Sequence, residues 1–174
     1  MTALQNTAYE SVRGFNYQPS WGSCGLETFG PDFDAELVAT EMARGKRYFP
    51  GINTLRIWLS HQAFMRYGAE AFLSRLEAML AAGDGLGLKF VVTLFNGWHS
   101  WPPFGGITRE QLNWSAAECA TDVFTPYLEA VVGTHARDPR VLLWDLCNEP
   151  TNSTGSESDQ ATIVKWLTRM GDCV

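Results

Sequence analysis

The feature that most constrains what this chain can fold into is an alternation of strand-like and helix-like segments, repeated four times. Short apolar or alternating runs, which indicate strands, each give way to a longer run with helical spacing. The four predicted strands lie near residues 12–17, 52–59, 89–95 and 141–146. Strands separated by helices cannot form hairpins, so they are expected to pair in parallel through right-handed crossovers. The sequence therefore predicts an α/β domain with a parallel sheet.

A helix pattern follows each predicted strand. Asp32 or Asp34 is a candidate cap for the first helix, and Thr108–Gln111 has the spacing of a capping box for the third. The expected helices cover about residues 34–48, 62–82, 108–135 and 159–170.

Composition narrows the range of partners. The chain has 13 Lys and Arg against 19 Asp and Glu, a net charge of −6, whereas nucleic acids are bound through a surplus of basic residues. Its apolar runs are far shorter than the roughly 20 residues of a membrane helix. The first residues show no secretory signal, which favours a cytoplasmic location. We therefore expect neither a nucleic acid nor a membrane partner, and a neutral ligand fits better.

Other common site types find no support. The glycine-rich segment Gly83–Gly87 precedes a strand, whereas a phosphate-binding loop follows one. The three histidines show no metal-ligand spacing, and the four cysteines form no C-x-x-C pair. Ser23 lacks the context of a serine hydrolase nucleophile. No metal and no cofactor are predicted.

Glu149 is the first candidate for chemistry. It follows the fourth predicted strand, at the edge where ligands bind in both open and closed parallel sheets. Because Pro150 restricts the residue before it, we expect an extended backbone at Glu149 that directs the carboxylate out of the strand end. Asn148, Glu149 and Pro150 are also common in strand-ending turns, so a purely structural role remains an alternative.

Arg56 lies in the middle of the second predicted strand, where a buried charge needs a partner. One interpretation pairs it with a core acid such as Asp145. The other places it beside a ligand or a catalytic carboxylate. The two overlap, because a site that keeps a carboxylate ionised also needs a nearby cation.

Aromatic residues collect on the same predicted rim. Tyr17, Trp21, Trp98 and Trp101 lie in loops or at strand ends, and His99 stands between the last two. Flat rings beside hydrogen-bonding groups suit sugars, whose C–H faces stack on aromatic rings. The arrangement favours a carbohydrate ligand, although loop tryptophans can also be packing lids and His99 a surface group.

Three motifs together resemble those of retaining glycoside hydrolases in the clan of the family 5 cellulases, mannanases and xylanases. They are Arg13–Tyr17 in strand 1, Leu55–Trp58 in strand 2 and Asn148–Pro150 after strand 4. The segment Ala43–Gly51 is also similar to bacterial proteins described as cellulase-family or xylanase-like. The resemblance extends over nearly the whole chain.

This resemblance implies a (β/α)8 barrel that hydrolyses O-glycosyl bonds in β-linked carbohydrate. In that family the Glu of the strand-4 motif is the general acid/base, the preceding Asn binds the hydroxyl next to the reacting carbon, and the strand-2 Arg supports the nucleophile. These roles carry over to Glu149, Asn148 and Arg56, with His99 as a substrate contact. The implied partner is an oligo- or polysaccharide of unspecified sugar and linkage.

The chain departs from the family in one respect. Family members carry the nucleophilic Glu at the end of strand 7, whereas residues 1–174 contain four βα units. Retaining hydrolysis needs two carboxylates about 5–5.5 Å apart, and Asp145 lies about 13 Å deeper than Glu149 along a regular strand. We therefore expect one partial catalytic domain over residues 1–174, the first four units of an incomplete TIM-type barrel, inactive alone.

Two other interpretations stay open. One is a non-catalytic α/β module that binds a sugar on its aromatic rim, with Glu149 as a ligand contact. The other is an open flavodoxin-like sheet, although Gln18–Ser23 is a poor phosphate-binding loop. Half a barrel would also leave strands 1 and 4 as open edges, which predicts dimerisation or aggregation.

Overall fold

The computed structural model describes residues 9–96, 120–150 and 157–174. Over these residues the four predicted βα units are present. In chain order the elements are β1 (Gly14–Asn16), α1 (Gly25–Thr28), α2 (Ala35–Tyr48), β2 (Thr54–Trp58), α3 (His61–Tyr67), α4 (Ala69–Asp84), β3 (Lys89–Asn96), α5 (Ala120–His135), β4 (Val141–Asn148) and α6 (Glu157–Gly171).

The four strands form one sheet in the order β1-β2-β3-β4, and every neighbouring pair is parallel. Each strand therefore lies beside the next one in the chain, as in a (β/α)8 barrel. A flavodoxin-like sheet reverses its strand order at a switch point. The observed order excludes the flavodoxin-like alternative.

The core lies between the sheet and its helices. Leu55 and Ile57 of β2, Phe90 of β3 and Trp166 of α6 are fully buried. Aromatic rings fill much of this layer in edge-to-face contacts, a geometry that stabilises ring pairs beyond simple burial. These apolar contacts hold the sheet against its helices, which fixes the positions of the strand ends.

Helix α2 follows the sequence prediction closely. Asp34 is its N-cap, and the side chain accepts a hydrogen bond from the backbone N–H of Leu37 at 2.9 Å. Lys46 and Arg47 lie in the last turn, where they offset the helix dipole. Asp34 is therefore the cap, and not the alternative Asp32.

The prediction of a single helix over residues 62–82 is wrong. The segment forms two helices, α3 and α4, which meet at Gly68 with φ +84° and ψ 154°. This backbone conformation is closed to most L-residues and cannot continue a helix. The apolar spacing on both sides hid the break. The short helix α1 lies between the first predicted strand and the first predicted helix, and the Thr108–Gln111 capping box falls outside the described residues.

Strand bounds differ from the predictions in one useful way. β4 continues to Asn148, two residues beyond the predicted end, and pairs there with Asn96 of β3. Asn148 is thus the last residue of a strand, which gives its side chain a defined direction. In the described ranges, no helix has the length and apolar character needed to span a bilayer.

Gly68 and Gly133 offer a matched test of the helix break. A methyl group added at either position meets no atom within 4 Å, so only backbone conformation decides the effect. Gly68→Ala is expected to lower the free energy of unfolding by about 1–3 kcal/mol, because φ is positive there. Gly133→Ala, inside α5, is expected to raise it by about 0.5–1 kcal/mol. Urea unfolding of both variants measures the difference, and equal shifts would contradict the assigned break.

His61 links two helices from a buried position. Its Nε2 lies 2.9 Å from the backbone carbonyl of Val123 on α5, and its ring contacts Phe124 and Tyr127 edge-on. Burial lowers the pKa of His61 below its ordinary value of 6.5, against a smaller opposite effect of the Val123 carbonyl. The imidazole is therefore kept neutral where it packs.

The pH dependence of stability follows from this burial. Between the folded-state pKa of His61 and about 6.5 the unfolded chain binds more protons, so stability is full above this range and falls as the pH drops through it. Arg140 lowers the pKa values of Glu77 and Asp138 below their ordinary values of 4.5 and 3.8. These two carboxylates therefore change the stability only at lower pH. His61→Gln, which keeps an N–H donor, is expected to flatten the profile between pH 7 and 5 in chemical unfolding. An unchanged slope would contradict it.

Candidate functional site

A cleft of about 320 Å³ opens at the carboxyl ends of the strands. The β1–α1 connection forms one wall, and the ends of the four strands form the floor. The polar residues at these strand ends are Asn16, Arg56, Asn96, Asn148 and Glu149. The cleft therefore lies at the edge that the sequence predicts for ligand binding.

Arg56 and Asp145 form an ion pair across the strand between them. Arg56 donates to Asp145 Oδ2 from Nη2 at 2.5 Å and from Nε at 3.1 Å. Thr93, on the intervening strand β3, donates its hydroxyl to the same oxygen at 2.8 Å. Both charged side chains are 27% exposed, so the pair is partly removed from water and needs these hydrogen bonds. The pairing proposed from the sequence is present.

The same guanidinium also orients Asn148. Arg56 Nη2 donates to Asn148 Oδ1 at 3.0 Å, and Asn148 Nδ2 donates to Asn96 Oδ1 at 3.0 Å. Both ends of the amide therefore have protein partners, which fixes its orientation. The amide of Asn148 is held at the floor of the cleft, one residue before Glu149.

Glu149 is exposed and lines the cleft, but its backbone differs from the prediction. We expected an extended conformation because Pro150 follows. Instead φ is +47°, the one positive value among the described non-glycine residues. Such a conformation costs about 1–3 kcal/mol and persists where surrounding structure imposes it. The paired end of β4 and its side-chain contacts override the local preference.

Tyr17 lines the same cleft and is buried. Its hydroxyl donates to Glu41 Oε2 at 2.8 Å, and its backbone N–H donates to the carbonyl of Arg56. Burial, together with the hydrogen bond and negative charge of Glu41, raises the pKa of Tyr17 well above its ordinary value. The phenol is therefore a neutral, fixed ring at the wall of the cleft.

The remaining aromatic candidates are placed differently. Trp21 is not among the residues that line the cleft; it packs edge-on against Phe33 at 6.0 Å. Trp98, His99 and Trp101 fall outside the described residues. Of the four aromatic residues expected at the rim, the structure thus places Tyr17 at the cleft.

Several residues of the site were not singled out from the sequence. Asn16 and Asn96 end β1 and β3, and a search for polar residues at strand ends would have found both. Trp58 ends β2 and lies 5.2 Å from the Arg56 guanidinium, in cation–π geometry. Thr93 was missed because a neutral residue inside a strand does not demand a partner as a charge does.

A cluster of metal-ligand types lies elsewhere in the described residues. Glu77, His135 and Asp138 place ligand atoms within 4.8 Å of one another, at the loop before β4. Arg140 donates to both carboxylates at 2.6–3.1 Å. The guanidinium occupies the position a cation would take, so the cluster is an ion-pair network away from the cleft.

The chain is similar in sequence to curated mannan endo-1,4-β-mannosidases. No protein-family model matches the chain. It is 28% identical over 111 residues to mannan endo-1,4-β-mannosidase A of Podospora anserina, a match that covers 59% of this chain and 28% of that protein. The chain thus spans under a third of the length of this relative. The curated relatives carry mannanase names, so the expected xylanase-like character finds no support.

Solved structures agree in fold. GH5_18 from Streptomyces cattleya, solved in complex with GlcNAc, aligns with a TM-score of 0.70 at 21% identity, over 93% of this chain and 41% of that chain. A glycoside hydrolase family 5 mannosidase from Rhizomucor miehei aligns with a TM-score of 0.54 at 20% identity, over 91% and 49%. The expected fold class is confirmed: the sheet matches the N-terminal part of a family 5 barrel. The resemblance to family 5 enzymes is confirmed too.

The Arg56–Asp145 pair is expected to stabilise the fold as a unit. Asp145→Ala removes the acceptor of three hydrogen bonds and should lower the free energy of unfolding by about 2 kcal/mol, given the partial exposure. Arg56→Met combined with Asp145→Leu should cost less than the two single changes together. Asp32→Ala, at an exposed position, serves as the control. Chemical unfolding measures all of these, and strict additivity would contradict the coupling.

Proposed function

We propose that residues 1–174 supply the acid/base half of a site that hydrolyses β-linked, mannan-type carbohydrate. The observation that carries the proposal is the geometry around Glu149. Glu149 lines the cleft directly after Asn148, whose amide is fixed by Arg56 and Asn96. The sequence similarity to mannan endo-1,4-β-mannosidases favours mannan over cellulose and xylan as the substrate class.

Glu149 is the general acid/base in this proposal. Its exposure lets the carboxyl group protonate the glycosidic oxygen as the bond breaks and then accept a proton from the attacking water. Asn148 contacts the hydroxyl next to the reacting carbon with the amide proton that Asn96 does not use. Tyr17 forms an apolar wall for a sugar ring. The proposed contacts of Trp21, Trp98, His99 and Trp101 rest on the sequence alone.

Arg56 has one nitrogen left for a second carboxylate. Nε and Nη2 bind Asp145 and Asn148, whereas Nη1 has no hydrogen-bond partner among the described residues. This fits the role of supporting a nucleophile. Asp145 does not take that role, because its Oδ2 accepts from both Arg56 and Thr93 within the sheet. Residues 1–174 are therefore proposed to bind sugar without turning it over.

Binding and turnover test the proposal separately. Titration calorimetry with mannohexaose is expected to show binding by the wild-type chain. Asn148→Ala should weaken this binding about fivefold to tenfold, the effect of one hydrogen bond. Glu149→Gln should leave it within about twofold, since shape and one acceptor are kept. Thr40→Ala, on the exposed face of α2, is the control. Assays on aryl β-mannosides, mannan, xylan and carboxymethylcellulose should show no turnover.

Each outcome separates the alternatives. Turnover by the wild-type chain that Glu149→Gln abolishes would contradict the proposed inactivity of the chain alone. It would support Glu149 as the general acid/base. Tighter binding of cellohexaose or xylohexaose would overturn the mannan assignment. Binding without hydrolysis, even after the chain is joined to a barrel half that carries a strand-7 Glu, would favour the non-catalytic binding module.

A further inference from the structure

Helix α2 carries a charged residue on the face that packs against the sheet. Val38 and Met42 of this helix are buried in the core, and Glu41 lies three residues after Val38. Residues three and four positions apart share one face of a helix. Glu41 is itself half-buried. A carboxylate in such a place is unfavourable unless hydrogen bonds or a cation satisfy it, so its partners indicate its role.

Both partners of Glu41 lie in the β1–α1 connection, which forms the wall of the cleft. Oε2 accepts a hydrogen bond from the hydroxyl of Tyr17 at 2.8 Å, and Oε1 accepts one from the backbone N–H of Ser20 at 3.3 Å. Within the part of the chain that the structure describes, Glu41 takes part in no salt bridge. Two neutral donors from the wall therefore satisfy this carboxylate.

Tyr17 connects the wall to the floor of the cleft. Its ring is buried and lines the cleft, and its backbone N–H donates to the carbonyl of Arg56 at 2.8 Å. The Arg56 side chain in turn orients Asn148. β2 thus holds the backbone of Tyr17 while Glu41 holds its hydroxyl. A ring that is held at both ends presents a constant surface to a ligand.

The wall has a separate attachment at its other end. It continues into α1, whose C-cap Phe29 accepts a hydrogen bond at its carbonyl from Arg75 Nη1 of α4 at 2.6 Å. Between these points the chain closes on itself in a turn, in which the N–H of Gly22 donates to the carbonyl of Pro19 at 3.1 Å. The wall is therefore a compact segment that Glu41 holds at one end and Arg75 at the other.

We propose that Glu41 is a positioning residue for the sugar site. It acts through Tyr17 and Ser20 to set where the wall of the cleft stands, and it does not contact the sugar itself. Glu41 is not among the residues that line the cleft. The inference rests on the proposed function for the identity of the ligand, whereas the attachment of the wall to Glu41 needs no ligand.

Binding of mannohexaose by matched variants tests the proposal. Glu41→Ala is expected to weaken binding about threefold to tenfold in titration calorimetry, because the Tyr17 ring loses the hydrogen bond that fixes it. Glu41→Gln should stay within about twofold of the wild type, since its Oε1 can accept from Ser20 and its Nε2 can donate to the Tyr17 hydroxyl. Glu36→Ala, at an exposed position of the same helix, is the control.

A second variant separates positioning from simple stabilisation. Tyr17→Phe keeps the ring and removes the hydroxyl, so it should also weaken binding. Combined with Glu41→Ala, it should bind no more than about twofold weaker than Glu41→Ala alone. Urea unfolding shows that each variant is folded under the binding conditions. Unchanged affinities of the folded variants would indicate a purely structural role, and effects that multiply would show that Glu41 acts through another group. Either result would overturn the proposal.

Hydrogen exchange without sugar tests the attachment of the wall directly. The Ser20 amide should exchange at least about fivefold faster in Glu41→Ala than in the wild type or Glu41→Gln. The Thr28 amide, which donates to the carbonyl of Cys24, should exchange at the same rate in all of them. Unchanged exchange at Ser20 would overturn the attachment.

The two measurements together distinguish this proposal from the proposed function. A wild-type chain that does not bind mannohexaose, with Ser20 exchange as expected, would overturn the proposed function and support the attachment of the wall to Glu41. Binding by the wild type that Glu41→Ala leaves intact would overturn the positioning role and support the sugar site.

Discussion

The ion pair between Arg56 and Asp145 is the interaction on which the site depends. It joins β2 to β4 across the strand between them, and Thr93 of that strand completes it. A charged pair partly removed from water is favourable only when further hydrogen bonds satisfy it. Thr93 of β3 donates to the carboxylate, and Asn148, which lines the cleft, accepts from the guanidinium, so one of the groups that stabilise the pair also faces the cleft.

This coupling explains how a strained residue can stand at the strand end. Glu149 has a left-handed backbone and precedes a proline. A positive φ is strained in a residue other than glycine, and a following proline favours an extended backbone instead. The strand before it is held by pairing with β3 up to Asn148, and the Asn148 side chain is held by Arg56 and Asn96. The chain therefore leaves the sheet in a direction fixed by tertiary contacts. Glu149 lies at the cleft as a result.

Sequence patterns predicted those parts of the structure in which one strong physical requirement acts alone. The parallel sheet followed from strand and helix alternation, and the partner of Arg56 followed from the cost of a charge inside a strand. Gly68 was not recognised as a break, because the apolar spacing continued on both sides. The prediction of an extended backbone at Glu149 was wrong, because long-range contacts override a local preference. A neutral residue inside a strand, such as Thr93, gave no signal until the fold placed it beside Asp145.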